Sequence, residues 1–118
     1  MNLEREVVSL VEEMDRDVDA VVVEGKRDRE AIEEAGFSGR IYTCSQNTDG
    51  IASVAREVRE EDSVAILTDF DEEGGDLCGE LRDRIPDSKL RKHWRKELGK
   101  LLTEKGRRDI ESINNLVG

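Results

Sequence analysis

Ile66-Leu67-Thr68-Asp69-Phe70-Asp71-Glu72-Glu73-Gly74-Gly75 decides how this chain is read. The apolar run Val64-Ala65-Ile66-Leu67 leads into two aspartates at i and i+2, and a glycine pair follows. Side chains two apart on a strand point to the same face, roughly 6–7 Å apart. Asp69 and Asp71 therefore put two carboxylates on one side where a buried strand runs out. The four acids Asp69, Asp71, Glu72 and Glu73 within five residues repel one another and call for a cation or solvent to compensate. Two hard oxygen donors with room for water suit Mg²⁺, which keeps several waters and takes one or two carboxylates. The same acids also suit a solvated turn that favours the start of the next helix.

Working outward, Asp19-Ala20-Val21-Val22-Val23-Glu24-Gly25 is a second β-branched run bounded by charge and glycine, and reads as a buried strand ending on Glu24. Gly25 lets the backbone turn or approach a ligand closely. Asp28 caps a helix to about Ala35, and Gly36 stops it. A strand over Arg40-Ile41-Tyr42-Thr43-Cys44 follows, then turn and cap residues Asn47-Thr48-Asp49-Gly50 and a helix over about 50–60 with Ile51, Val54, Ala55 and Val58 on one side. The third strand, 63–69, delivers the aspartates. After Gly74-Gly75 a helix is marked by Leu77, Leu81 and Ile85, and Pro86 ends it.

Strands alternating with helices of about ten residues imply βαβ units and a mainly parallel sheet. With a brief fourth strand at 88–91, the expectation is an α/β fold with four strands flanked by helices. An extra N-terminal helix over 1–17 shows the stripe Leu3, Val7, Leu10, Val11 and Met14. The expected organisation is that helix, a domain over 18–90, and a helical extension over 91–118 packed on the same domain. In the extension Trp94, Leu98, Leu101 and Leu102 form one stripe, and Ile110, Ile113, Leu116 and Val117 another. Trp94 reads as an anchor rather than a base-stacking platform. In open parallel sheets ligands bind at the carboxyl ends of the strands. Glu24 and the Asp69/Asp71 pair are both expected on that edge, although 45 residues separate them in sequence.

The 118 residues suffice for one core, and no apolar run approaches the roughly 18 residues of a membrane span. Cys44 and Cys78 form no disulfide framework, and neither has a Cys or His neighbour at ligand spacing; buried thiols of a cytoplasmic protein are the expectation. The net charge of −10 is uneven: residues 1–83 carry −15 and residues 84–108 carry +7. Overall acidity argues against general nucleic-acid binding, while the basic segment, with Arg91, Lys92, Arg95 and Lys96, offers a local phosphate-contacting face. A solvated helix face explains the same residues.

A strand ending in Glu-Gly (Val21-Val22-Val23-Glu24-Gly25-Lys26), followed some 45 residues later by Asp-x-Asp-x-x-Gly after an apolar strand (Asp69 to Gly74), resembles the Toprim domain. That domain is shared by type IA and type II topoisomerases, bacterial primases, overcoming-lysogenization-type nucleases and a ribosomal RNA maturation nuclease. The resemblance covers roughly 18–90, and Glu24-Gly25-Lys26-Arg27-Asp28 is most similar to the RNA-nuclease and small stand-alone branch.

It implies a Rossmann-like Toprim fold with Glu24 as general acid/base. Asp69 and Asp71 would hold Mg²⁺ or Mn²⁺, Glu24 would complete the acidic set, and Gly25 and Gly74 would shape the two turns. Lys26, Arg27 and the helix start near Gly74 are candidates to hold a phosphate; Lys26 and Arg27 suit plain solvent exposure equally well. The expected function is a Mg²⁺-dependent enzyme on RNA or DNA phosphodiesters, a nuclease. A non-catalytic adaptor contacting nucleic acid or a protein through 84–108 is the alternative.

Two departures narrow this. The sole tyrosine, Tyr42, lies in a predicted strand, which excludes a topoisomerase acting alone, and the zinc module and helical extension of primases are absent. A haloacid-dehalogenase-type phosphatase ranks third, because its aspartate pair follows a first strand and precedes Gly-Thr.

Overall fold

The computed structural model describes residues 3–45, 50–104, 106–107 and 109–113. Among the described residues five helices and three short strands follow in the order α1 (Leu3–Asp17), β1 (Ala20–Val23), α2 (Lys26–Glu34), β2 (Arg40–Thr43), α3 (Gly50–Val58), β3 (Val64–Ile66), α4 (Glu72–Arg84) and α5 (His93–Thr103). Single 3₁₀ turns occupy Asp87–Lys89 and Ile110–Ile113.

The sheet is parallel, in the order β2-β1-β3. Because side chains alternate across a strand, β1 feeds both sides. Val21 and Val23 join Ala65 and Leu67 in a core completed by α1, α2, α5 and the last 3₁₀ turn, whereas Val22 joins Val64 and Ile66 under α3 and α4. Helices therefore cover both faces, which explains why the strands are continuously apolar.

The fourth strand expected at 88–91 is a single parallel bridge between Leu90 and Val64 beside β3, because a 3₁₀ turn takes up Asp87–Lys89 immediately before it. The helix after the glycine pair starts earlier than expected. Asp71 caps it through a 2.7 Å bond from the Gly74 N–H, so Gly74 and Gly75 lie inside its first turn. Gly36 ends α2 as expected, at a φ of 114° that disfavours other residues. Ile85, ahead of Pro86, is extended and closes α4. Of the stripe on α1, Val7, Val11 and Met14 lie in the core and Leu10 packs against it. The turn residues Asn47-Thr48-Asp49 and the final Leu116 and Val117 lie outside the described residues. Among the described residues no helix is long and apolar enough to cross a membrane.

Candidate functional site

The chain leaves β1 for β2 on one side, then crosses to β3 on the other. The strand order thus reverses between β1 and β3, the position where open α/β sheets form a crevice. Glu24 follows β1 directly, and Asp69 lies three residues beyond β3. The Asp69 N–H donates to Glu24 Oε2 at 3.0 Å, and the two carboxyls share a side-chain hydrogen bond. Burial, and then that bond to Glu24, push the Asp69 carboxyl up to about 7. Two carboxylates this close repel each other when both are ionised, which favours the protonated form of Asp69.

Asp71 does different work. Exposed, it binds the Gly74 N–H as the α4 cap. Among the described residues no three His, Cys, Asp or Glu side chains are gathered around one point. Glu24 and Asp69 are brought together; Asp71 stays on the rim as a cap.

The loop between them folds on itself. The buried Thr68 hydroxyl donates to the Gly74 carbonyl at 2.6 Å. A Cβ at position 74 would lie 1.9 Å from the Asp69 carbonyl oxygen, so only glycine fits there. The Gly74 N–H points at Asp71 and is not offered to an anion. Gly25 differs: its φ of −149° is ordinary extended backbone, and a Cβ there would meet Ser45 Oγ at 3.4 Å. Neither the conformation nor crowding of the chain demands glycine at 25.

Two residues that the sequence reading placed elsewhere complete the surroundings. Asp28, in the first turn of α2, is buried and accepts the N–H of Gly25 at 2.9 Å and that of Glu111. Burial, then the charge of Asp69, push it up to about 6. The last 3₁₀ turn arrives beside it, and the Ile110 N–H donates to Asp69 Oδ1 at 3.0 Å. Successive amides of that turn are therefore held by Asp69 and Asp28. The i, i+3 pair Ile110 and Ile113, both fully buried, was the available sign that this segment is core; nothing local showed that it reaches the acidic edge.

The basic residues divide. Lys26 and Arg27 are exposed at the start of α2, and Arg27 pairs with Glu111 at 3.2 Å. Arg91 donates to the Ser88 carbonyl and Lys92 pairs with Asp87, so both close the turn before α5. Lys96 is exposed on α5. Arg95 is turned inward: Nε donates to the Thr68 carbonyl at 3.2 Å and Nη2 to the Asp69 carbonyl, with the guanidinium 5.2 Å from the Phe70 ring centre. Read from sequence as a nucleic-acid contact, Arg95 instead binds the backbone of the acidic loop. None of the ion pairs Arg27–Glu111, Arg29–Glu33, Arg40–Glu61 and Lys92–Asp87 neutralises Glu24, Asp69 or Asp71.

The remaining candidates are structural. Both cysteines are free, and burial followed by the charge of Glu24 pushes the Cys44 thiol up to about 11, so it is no nucleophile. The Tyr42 hydroxyl donates to Glu61 at 2.8 Å, tying β2 to the turn before β3. The Trp94 Nε1–H donates to Asp17 at 2.7 Å and anchors α5 on α1.

Three curated relatives match. A UPF0292 protein of Pyrococcus furiosus is 34% identical over 97 residues, spanning 81% of this chain and 72% of the relative. One from Thermococcus sibiricus is 32% identical over 100 residues, covering 83% and 75%. A third, from Thermococcus kodakarensis, is 34% identical over 102 residues, covering 84% and 71%. No family model matches the chain, and no solved structure does.

Proposed function

The chain belongs to the UPF0292 family, and from the geometry of its acidic edge we propose that it is a Mg²⁺-dependent enzyme of Toprim type that cleaves nucleic-acid phosphodiesters. One observation carries the reading. Glu24 and Asp69, from adjacent strands, hydrogen-bond at the point where the strand order reverses, and burial beside Glu24 raises the Asp69 carboxyl to about 7. A proton stands there where a cation would serve. Two carboxylates at the carboxyl ends of parallel strands fit Mg²⁺, which needs no third protein ligand because it retains water. When bound, the ion would neutralise charge developing on the phosphoryl oxygens.

The chain's own residues supply the rest. Asp69 holds its place through the Ile110 N–H on Oδ1. Glu24, fixed against the Asp69 amide, moves a proton to or from the reacting oxygen as general acid/base. Lys26 and the N-terminal end of α2 lie one residue beyond Gly25, and would be the phosphate contacts on this edge.

The test is a calorimetric titration of Mg²⁺ and Mn²⁺ into the wild type and into Asp69→Asn/Asp71→Asn, followed by assays of wild type and Glu24→Gln on RNA and DNA. Binding lost in the double variant, and turnover lost in Glu24→Gln even at metal concentrations that saturate that variant, are the expected results. Full turnover in Glu24→Gln would sink its role as acid/base.

A second reading, a metal-holding adaptor without chemistry, draws on Asp71 acting as a helix cap and on Lys96 exposed on α5. It expects charge reversal at Arg91, Lys92 and Lys96 to weaken nucleic-acid binding and flatten its salt dependence.

A further inference from the structure

Phe70 sits between the two acids of the loop, and its ring lies against α5 at Gly99, where a Cβ would come within 3.0–3.1 Å of ring carbons. One turn earlier on the same helix, Arg95 stands over that ring and donates to two successive carbonyls, those of Thr68 and Asp69. Three consecutive loop residues are therefore gripped by one i, i+4 pair of α5. α5 is itself fixed: Trp94, Leu98 and Leu102 are buried in the core, and the Trp94 N–H is bound to Asp17 of α1. The planar fork of a guanidinium spans two acceptors at fixed spacing, which an ammonium does not do.

We infer that Arg95, with the notch at Gly99, is the positioning device of the acidic loop: it fixes the Asp69 backbone so that the carboxyl meets Glu24, and contacts no substrate itself. The link to metal binding rests on the function proposed above; the clamp on the loop does not. A positive charge this close to the acids, directed at carbonyl oxygens, also leaves the carboxylates open to an ion.

The experiment reads amide hydrogen exchange in Arg95→Met, which keeps an apolar stem on Phe70, and separately in Gly99→Ala, which displaces the ring from the other side. The reporters are the Asp69 N–H on Glu24 and the Gly74 N–H on Asp71; the Leu67 N–H on Val22 and the Asp19 N–H on Ser63 are the controls. Exchange at the two reporters is expected to rise at least about tenfold in both variants while the controls stay unchanged, with protection restored in Arg95→Met by methylguanidinium. Arg95→Lys should protect only partly, and it replaces Arg95→Met if that variant fails to fold. Reporters that exchange no faster than the controls would overturn the clamp. Mn²⁺ affinity measured on the same samples should fall about tenfold in Arg95→Met. A wild type that binds no Mn²⁺ would remove the metal reading, while the exchange data still decide the role of Arg95.

Discussion

Asp69 is asked to do two opposed things: to stand in a partly buried edge beside Glu24, and to ionise if it is to hold a cation. Its ordinary value is 3.8, and the fold raises it to about 7. The folded state therefore binds this proton more tightly than the unfolded chain. The stability it contributes is full below about pH 4 and is lost as pH rises through about 7. Asp28, raised to about 6, adds a loss of the same sign over a narrower window. Asparagine at 69 mimics the protonated carboxyl, because its amide donates to Glu24 and its oxygen accepts from Ile110. Asp69→Asn is expected to melt roughly 3–6 °C above the wild type at pH 8, the shift that about 1 kcal/mol produces in a small domain. The gap should close near pH 5. Thermal unfolding at the two pH values checks this, and an equal gap at both would mean that the charge on Asp69 is not the cause. Mg²⁺ at pH 8 should raise the melting temperature of the wild type and leave that of Asp69→Asn unmoved.

At the scale of elements, the first turn of α4 joins a cap to a forced contact. Asp71 accepts the Gly74 N–H, and Gly74 presses on the Asp69 carbonyl. Asp71→Ala should cost about 1 kcal/mol, and Asp71→Asn, which keeps the accepting oxygen, much less. Any loss of metal affinity in Asp71→Asn is then separable from loss of the cap. The two glycines should respond with opposite signs. Gly74→Ala drives a methyl into backbone and is expected to destabilise by about 3 kcal/mol or more. Gly75→Ala, with nothing within 4 Å of its Cβ, should stabilise by about 0.5–1 kcal/mol through helix propensity. Urea titrations of the four variants measure all of this. Comparable losses at 74 and 75 would show that the close approach at Gly74 relaxes freely.

Over the whole molecule, charge opposes compaction. With a net charge of −10, mostly from residues 1–83, the folded state concentrates repulsion that the unfolded chain spreads out. Raising KCl from about 0.05 to about 1 M should therefore raise the melting temperature, because screening acts most where like charges are close. A flat response would show that the acidic surface is too dispersed to matter. The last 3₁₀ turn ties the end of the described chain into this balance. Ile110 and Ile113 are fully buried in the core that holds α1, α2 and α5, and Ile110→Ala is expected to cost about 2–4 kcal/mol in the same titrations.

The sequence by itself determined the alternation of strands and helices, the C-terminal stops of α2 and α4, and the arrival of Glu24 and Asp69 on one edge. These follow from apolar period, cap residues, glycine and proline, which act over a few residues and are legible wherever they occur. Tertiary structure alone decided which acid meets which. It left Asp71 as a cap, buried Asp28 under the last turn, turned Arg95 from solvent to the loop carbonyls, and reduced the strand expected at 88–91 to one bridge at Leu90. Several of these contacts join residues far apart in the chain: 45 positions between Glu24 and Asp69, 41 between Asp69 and Ile110, 26 between Arg95 and Asp69. A charged residue carries the same local signal whether it faces water or a carbonyl. Its direction is fixed only when helices on both faces of the sheet have packed and the polar groups left inside must find partners.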